Sequence, residues 1–162
     1  MANLLAVDTG YRNVGVAVID INTGKIIKTK TITTGKIEYY KALDKIVKLI
    51  EEIIISNNIE IIIFEQVYGR RKISMIAGAI VSAAINNNIN KIVGYTPGHM
   101  KKQISGNGRC SKEKLQEVLK VDYNIDLIDK SAHEADAIGH GLTYLQNVKP
   151  EVIKSILSVN KH

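Results

Sequence analysis

Three acidic residues occupy positions where a solvated carboxylate is not expected. Asp8 and Glu65 each close a short apolar run, and Asp136 interrupts the apolar stretch Ala-Asp-Ala-Ile. Isolated buried carboxylates are energetically costly, so three that converge imply a compensating cation. Hard divalent ions prefer oxygen ligands, and two of them about 3.5–4 Å apart drive phosphodiester hydrolysis in many proteins. The residues therefore predict a metal-dependent phosphodiesterase site.

A histidine on the same predicted helix as Asp136 is the candidate fourth member of this site. His133 lies three residues before Asp136 and shares its helical face, whereas Glu134 lies two residues before it and points elsewhere. The imidazole could bind a metal ion or act on the attacking water. Because imidazole suits Mn²⁺ better than Mg²⁺, we expect a relaxed metal preference. His140, one turn beyond Asp136, is interpreted as structural.

Each of these residues also has an ordinary structural interpretation, which the sequence leaves open. Asp8 would then be a turn-forming residue beside Thr9 and Gly10. Glu65 and Asp136 would form ion pairs with nearby basic residues. His133 would be a structural or surface histidine.

Basic residues are concentrated in the middle of the chain. Residues 66–120 contain ten Lys or Arg against two acidic residues, so this segment carries +8 while the whole chain carries +6. Such a surface favours a polyanionic partner, because each phosphate contact releases counterions. The alternative is a solvated surface of ordinary lysines. The candidates for nucleic-acid contact are Arg70, Arg71, Lys72, Lys101, Lys102, Arg109, Lys112 and Lys114.

Hydrophobic periodicity predicts the elements that must position these side chains. Short apolar or alternating runs predict five strands, and apolar residues at helical spacing predict helices between and after them. Thr96-Pro97-Gly98 follows the last strand, and Gly106-Asn107-Gly108 breaks the chain. The predicted strands are 4–7, 14–19, 25–33, 59–64 and 92–95; the predicted helices are 38–55, 73–85, about 111–121 and about 131–146, and a short candidate helix begins at Pro150.

This order predicts an α/β fold built on a mixed five-stranded sheet with helices on both faces. The first three strands form an antiparallel meander, and the strands separated by helices run parallel. The length of 162 residues fits one domain over 1–162. The single cysteine, Cys110, excludes a disulfide framework and a cysteine-based zinc site. No apolar run approaches the ~20 residues that span a bilayer, and no secretion signal is present, so we expect a cytoplasmic protein without a membrane partner.

Three short motifs resemble those of the RuvC-type Holliday junction resolvases, which belong to the RNase H-like superfamily. The motifs are Leu5–Gly10 followed by Gly15, then Phe64–Tyr68, then His133–Ala137. Their order and spacing match from Leu4 to about residue 145. The first motif alone is weak, because sugar kinases and actin-like ATPases share an acid-Gly phosphate loop. The chain is short, and it is rich in Ile, Asn and Lys, as is typical of proteins from A+T-rich genomes. In both respects it is similar to the RuvC-like resolvases of bacteriophages.

The resemblance implies an RNase H-like fold, a homodimer, and symmetrical nicking of four-way DNA junctions. It also implies two Mg²⁺ ions per site, with Mn²⁺ able to substitute. By position, the metal-binding set is matched by Asp8, Glu65, His133 and Asp136. Several family members have Asp where His133 stands, so the identity of the fourth ligand stays open.

The resemblance also assigns residues to DNA contact. Lys101 and Lys112 match two lysines near the scissile phosphate, although Lys102 fits equally well. Tyr68 matches an aromatic residue near the junction crossover, and its alternative is a packed tyrosine. Between the lysines, Gly106 and Gly108 fall at the family's spacing and would let the backbone approach DNA.

The small-residue helix 73–85 is the candidate dimer interface, because small residues permit close helix approach. Its alternative is packing on its own sheet, and both hold for different faces of the helix.

The sequence is also compatible with two other classes of function. One is a non-catalytic protein that binds branched DNA on a nuclease-like scaffold. The other is an ATP-handling protein that uses Asp8-Thr9-Gly10 as a phosphate loop, although one short domain leaves no second lobe to close over a nucleotide. The sequence leaves open the cleavage preference, the choice between junctions, forks and flaps, and a branch-migration motor as partner.

Overall fold

A computed structural model describes residues 1–159 of the chain. All five predicted strands are present, and the predicted helices are present with them. Within this range no helix is both long and apolar enough to cross a membrane. The strands are β1 (Asn3–Asp8), β2 (Asn13–Asp20), β3 (Ile26–Thr33), β4 (Ile59–Glu65) and β5 (Lys91–Tyr95); the helices are α1 (Tyr39–Ser56), α2 (Arg71–Asn86), α3 (Pro97–Ser105), α4 (Lys112–Val121), α5 (Ala132–Val148) and α6 (Pro150–Ser158).

The strands form one mixed sheet in the order β3-β2-β1-β4-β5. β2 runs antiparallel to both β1 and β3, whereas β4 runs parallel to β1 and β5 runs parallel to β4. The predicted meander and the predicted parallel strands are therefore confirmed. β1 lies in the middle of the sheet, and all six of its residues are buried.

The side chains of the central strands alternate between two hydrophobic cores. Leu4 and Ala6 of β1 pack with residues of α3, α4, α5 and α6 on one side of the sheet, which we call the α5 face. Leu5 and Val7 pack with residues of α1 and α2 on the other side. Helices therefore cover both faces, as predicted.

Helix α3 is the element that sequence analysis does not predict. Its ends are nevertheless marked by residues that helices favour. The Thr96 side chain accepts the backbone N–H of His99, Pro97 occupies the first turn, and Gly106 closes the helix at φ 79°. Gly106 thus ends a helix, and a Cβ at Gly108 would lie 2.9 Å from the Gly98 carbonyl oxygen. The structure thus gives Gly106 a role in ending α3 and Gly108 a role in local packing.

Cys110 lies in the connection between α3 and α4. Its side chain is buried and belongs to the core on the α5 face. It is therefore a small, packed loop residue, in keeping with its sequence context.

Candidate active site

Strand register and side-chain alternation bring Asp8 and Glu65 together. Val7 of β1 is paired with Phe64 of β4, so the next residue of each strand lies at the same end of the sheet. In both strands the residue two positions earlier packs on the α5 face. Because side chains alternate along a strand, Asp8 and Glu65 both point toward α5.

The first turn of α5 is fixed over this end of the sheet by polar contacts. Ser131 caps the helix by accepting the Glu134 backbone N–H at 3.1 Å. The Glu134 carboxylate accepts hydrogen bonds from the hydroxyls of Thr29 at 2.6 Å and Thr31 at 3.0 Å, both on β3. The Glu134 side chain is therefore hydrogen-bonded to β3, as expected from its position two residues before Asp136.

A glycine in β2 permits this close contact between helix and sheet. A Cβ at Gly15 would lie 2.0 Å from the carbonyl oxygen of His133 and 2.9 Å from the backbone nitrogen of Glu134. Both are backbone atoms of the helix, so they could not move without displacing its first turn. Gly15 therefore sets the height of α5 above the sheet.

These elements enclose a cavity of about 290 Å³ that contains the four predicted acid-site residues. Lys101 of α3 and Lys112 of α4 also line it. A larger cavity of about 620 Å³ beside the β2–β3 turn contains none of the predicted site residues. The complete lining of the smaller cavity is Asp8, Thr9, Gly10, Glu65, Arg70, Ile73, Pro97, Met100, Lys101, Lys112, His133 and Asp136.

Two histidines of α5 contact the two strand-end carboxylates. Nδ1 of His133 lies 2.9 Å from Oδ2 of Asp8, and Nε2 of His140 lies 3.3 Å from Oε2 of Glu65. His140 was not among the predicted site residues, but its side chain is completely buried beside Glu65. The signal that could have found it is its spacing of four residues from Asp136, which puts both on one helical face.

The ionisation of the three carboxylates reflects their shared environment. Burial raises the pKa of Asp8 to about 9, and the negative charges of Glu65 and Asp136 act in the same direction. Burial also raises the pKa of Asp136, against the opposing charges of Lys112 and His140. At Glu65 the effect of burial is outweighed by the hydrogen bond and charge of His140, so its pKa lies below the usual value. The protein's own cations compensate this negative charge only in part.

The donor set fits a hard divalent cation. Within residues 1–159 no three carboxylate, imidazole or thiol groups are already arranged around a common ion position. The cavity nevertheless gathers three carboxylates and an imidazole, which are ligands of Mg²⁺ and Mn²⁺. Burial is the main cause of the raised pKa of Asp8, and the added effect of Glu65 and Asp136 indicates a negative potential that a bound cation would neutralise. The chemistry of the donors, not a preformed cage, supports metal binding.

The structure separates the predicted basic residues into two groups. Arg70, Lys101 and Lys112 line the cavity. Lys102 is exposed on α3 outside the cavity, and Lys114 forms an ion pair with Glu117 at 3.0 Å. Geometry therefore favours Lys101 over Lys102 as the residue that faces a bound phosphate. The remaining candidates, Arg71, Lys72 and Arg109, are exposed outside the cavity lining.

Tyr68 lies in the loop between β4 and α2, three residues after Glu65. Its side chain is 74% exposed, so it is not a packed tyrosine. The ring is accessible to a ligand that enters the cavity from this side.

The fold and the cavity together define the class of protein. A mixed sheet of this strand order, with carboxylates on its two central strands and a helix carrying a third carboxylate across them, is an RNase H-like fold with an acidic site. The sequence matches the family described as Crossover junction endodeoxyribonuclease RuvC over residues 4–144. The chain belongs to this family.

Individual relatives match over most of their length. The RuvC of Caldanaerobacter subterraneus subsp. tengcongensis is 29% identical over 147 residues, which cover 83% of this chain and 87% of that protein. The RuvC of Sulfurovum sp. (strain NBC37-1) is 28% identical over 163 residues, which cover 91% of this chain and 97% of that protein.

Solved structures share the fold at lower sequence identity. Thermus thermophilus RuvC superposes with a TM-score of 0.78 at 18% identity, covering 93% of this chain and 97% of that one. The Fowlpox virus resolvase, solved with Holliday junction DNA, gives a TM-score of 0.61 at 22% identity, covering 89% of this chain and 99% of that one.

Proposed function

We propose that this chain is a metal-dependent endonuclease that resolves four-way DNA junctions and related branched DNA by paired, symmetrical nicks. The observation that carries the proposal is the acidic cavity at the end of the sheet, edged by Lys101 and Lys112. Membership of the RuvC family supports the same reaction.

The carboxylates Asp8, Glu65 and Asp136 are the residues that would hold the metal. Two Mg²⁺ ions fit three carboxylates of this kind, and Mn²⁺ would substitute because it accepts the same oxygen ligands. When bound, such ions lower the pKa of a water and stabilise the leaving oxygen of a phosphodiester.

The other residues of the cavity bind and orient the DNA. Lys101 and Lys112 contact oxygens of the scissile phosphate and offset its negative charge beside the carboxylates. His133 accepts a proton from the attacking water through Nε2, because its Nδ1 is engaged by Asp8 at 2.9 Å. Tyr68 stacks on a base near the crossover, and Arg70, Arg71, Lys72, Lys102, Arg109 and Lys114 contribute to the positive field around the site.

The proposal is tested by incubating the purified protein with a labelled four-way junction and Mg²⁺ or Mn²⁺. Asp8→Asn, Glu65→Gln and Asp136→Asn should each abolish cleavage while the junction still binds. Asp44→Asn is the matched control, because Asp44 is an exposed carboxylate of α1 whose one ion pair within residues 1–159 is with Lys48.

Three outcomes would contradict the proposal. A wild-type protein that shifts the junction band without nicking it would be a branched-DNA-binding protein. Normal cleavage by the three cavity variants would show that the carboxylates do not hold the catalytic metal. Stabilisation of the protein by ATP would favour the phosphate-loop alternative.

We also propose that the protein acts as a homodimer. A four-way junction has two-fold symmetry, so paired nicks require two equivalent sites. The candidate interface is the outer face of α2, where Met75 and Ile85 are 49% and 60% exposed and a Cβ at Gly78 would meet nothing within 4 Å. On the opposite side of the helix, Ala83 and Ala84 are buried against the rest of the fold. Sedimentation of the protein alone would test the dimer.

Three further expectations complete the proposal. One nuclease domain spans 1–162, since the described residues share one sheet and its two covering layers. The protein acts in the cytoplasm, where its DNA substrate would be found. The bacteriophage origin stays a prediction from residue usage and length.

A further inference from the structure

Three tyrosines form a continuous row of rings, and two of them, Tyr11 and Tyr39, pack on the α1–α2 side of the sheet. The ring centroids of Tyr11 and Tyr39 are 5.2 Å apart, and those of Tyr39 and Tyr40 are 5.4 Å apart. Tyr11 lies in the β1–β2 connection, and the other two open helix α1. The row therefore joins two elements at the end of the sheet where Asp8 lies.

Two cations lie over these rings. The guanidinium carbon of Arg12 is 4.4 Å from the Tyr11 centroid, and Nζ of Lys72 is 5.0 Å and 5.5 Å from the centroids of Tyr11 and Tyr39. Neither cation forms an ion pair with any of residues 1–159. The acidic side chain at this end of α1, Glu38, accepts the Tyr40 backbone N–H. With two cations against this one carboxylate, the surface keeps a net positive charge.

A purely structural role accounts for only part of this row. The Tyr39 hydroxyl donates a hydrogen bond to the Lys72 carbonyl oxygen and so ties α1 to α2. Arg12 donates to the carbonyl oxygens of Gly35 and Ile37. Tyr40, by contrast, is 66% exposed, and its burial cannot explain its place at the end of the row.

Two short stretches of chain connect the active-site cavity to the row of tyrosines. Gly10 lines the cavity, and Tyr11 is the next residue. Arg70 lines the cavity, and Lys72 follows two residues later at the start of α2. A DNA strand that leaves the cavity on this side would meet the cations first and the exposed ring of Tyr40 beyond them.

We propose that this aromatic–basic patch, made of Tyr11, Arg12, Tyr39, Tyr40 and Lys72, binds the DNA strand that flanks the cleaved phosphodiester. Tyr40 stacks on an unpaired base of that strand, and Lys72 with Arg12 binds its phosphates. Aromatic rings stack on any base, and cations above them hold the backbone. The inference rests on the proposed function and adds a second contact with DNA, separate from Tyr68.

The first test compares binding of a fluorescent four-way junction and of a continuous duplex, measured by anisotropy without divalent metal. Tyr40→Ala should weaken junction binding roughly tenfold and leave duplex binding nearly unchanged, because base pairs can open at the crossover of a junction, whereas those inside a continuous duplex stay stacked. Tyr40→Phe, which keeps the ring, should bind the junction like the wild type.

The matched control for this loss is Ile55→Ala. Ile55 is 73% exposed on the same helix, roughly 20 Å from Tyr40 along the axis. Equal junction affinities for Tyr40→Ala and Ile55→Ala would overturn the proposal. Equal losses of junction and duplex binding in Tyr40→Ala, or a loss in Tyr40→Phe as large as in Tyr40→Ala, would also overturn base stacking.

The second test addresses the phosphate contacts through their salt dependence. Lys72→Ala should lower the slope of log affinity against log salt by about one, because one phosphate contact is lost. Lys154→Ala is the control, since Lys154 is exposed on α6 and α6 packs near Gly24 at the far end of the sheet. An unchanged slope in Lys72→Ala would overturn its part in the patch.

These results separate the patch from the proposed function. If the wild type neither binds nor cuts the junction, the proposed function fails. If the wild type cuts the junction and Tyr40→Ala binds and cuts it equally well, only the patch fails.

Discussion

In the metal-free site the Asp8 carboxyl is protonated at neutral pH. Asp8 is 6% exposed, and this burial raises its pKa to about 9, with a further contribution from the negative charges of Glu65 and Asp136. When protonated, Asp8 donates a hydrogen bond to Glu65, whose own pKa is lowered. A divalent cation would replace this proton with a larger positive charge, so metal binding should release it.

Asp8→Asn is expected to stabilise the metal-free protein, and the gain should grow with pH. The pKa of Asp8 is raised from 3.8 to about 9 on folding, so between about pH 4 and pH 9 the folded state holds a proton that the unfolded state has lost. The free energy of unfolding of the wild type therefore declines across that window, whereas asparagine does not ionise. Thermal unfolding in EDTA from pH 5 to pH 9 measures the difference. Parallel curves for the two proteins would contradict the raised pKa.

His140→Leu is expected to weaken the response to metal. Leucine can fill the buried site, but it removes the contact at 3.3 Å that holds Glu65. Loss of a residue that orients a metal ligand typically costs 10- to 100-fold in metal affinity or activity. The half-saturating Mg²⁺ concentration for junction cleavage should rise by about that factor. An unchanged value in a folded variant would show that His140 only packs, and His140→Gln should recover part of the effect.

The sequence could place those side chains whose positions follow from local periodicity. Asp8 and Glu65 end buried strands, and Asp136 lies on an apolar helix, so their convergence is visible in the pattern. Which of Lys101 and Lys102 faces a bound phosphate depends on the orientation of α3, and the sequence pattern does not predict that orientation. Helical spacing puts His140 on the face of Asp136, but it does not show which carboxylate the ring contacts, because Glu65 lies 75 positions away in the sequence.

Among the elements, α5 contributes most to the site. It packs against β1, β2, β3 and β4, and ten of its residues are buried. Small residues on α5 make this possible, since a Cβ at Gly141 would lie 2.5 Å from Ile19 and one at Gly139 would lie 2.7 Å from Met100. The position of His133 and Asp136 is therefore set by the backbone of the helix as a whole.

Gly15→Ala is expected to disrupt the site through this helix. The added Cβ would lie 2.0 Å from the His133 carbonyl oxygen, so the first turn of α5 must shift. Overpacking of this kind costs about 1–3 kcal/mol of stability, and we expect junction cleavage to fall at least tenfold. Thermal unfolding and single-turnover cleavage measure the two effects. Gly98→Ala is the control for stability, because its Cβ would make only an ordinary contact at 3.7 Å.

The elements themselves were largely predictable, and α3 shows where prediction stops. Strand alternation and helical spacing are repeated over many residues, so five strands and most helices follow from them. α3 has only nine residues, and its Thr-Pro-Gly start is equally typical of a turn. Packing of Met100 and Ile104 in the core favours the helix over the turn. This packing depends on residues that are distant in the sequence.

The whole molecule combines an acidic cavity with a positive exterior. The net charge is +6, and the cations concentrate in the segment that contributes α2, α3 and α4 around the cavity. A polyanion is thus attracted to a surface whose centre would repel it without a metal ion. Metal ions and DNA should therefore support each other's binding.

A dimer with one inactive site is expected to nick one strand only. Wild-type chains can be co-purified with Asp8→Asn chains through different affinity tags and given a junction at single turnover. In the proposed homodimer each site would face one strand of a symmetric junction, so the product should be a nicked junction that does not separate into two duplexes. Full resolution by the mixed dimer at the wild-type rate would show that one site serves both strands.

Cys110 is the sole thiol of the chain, and it is enclosed by the core between α3 and α4. Maleimide dyes require an accessible thiolate, so the folded protein should remain unlabelled by them. A cysteine introduced at an exposed position such as Ile55 would then carry the fluorophore alone. Movements of DNA arms during resolution could be followed by energy transfer without first removing any native residue.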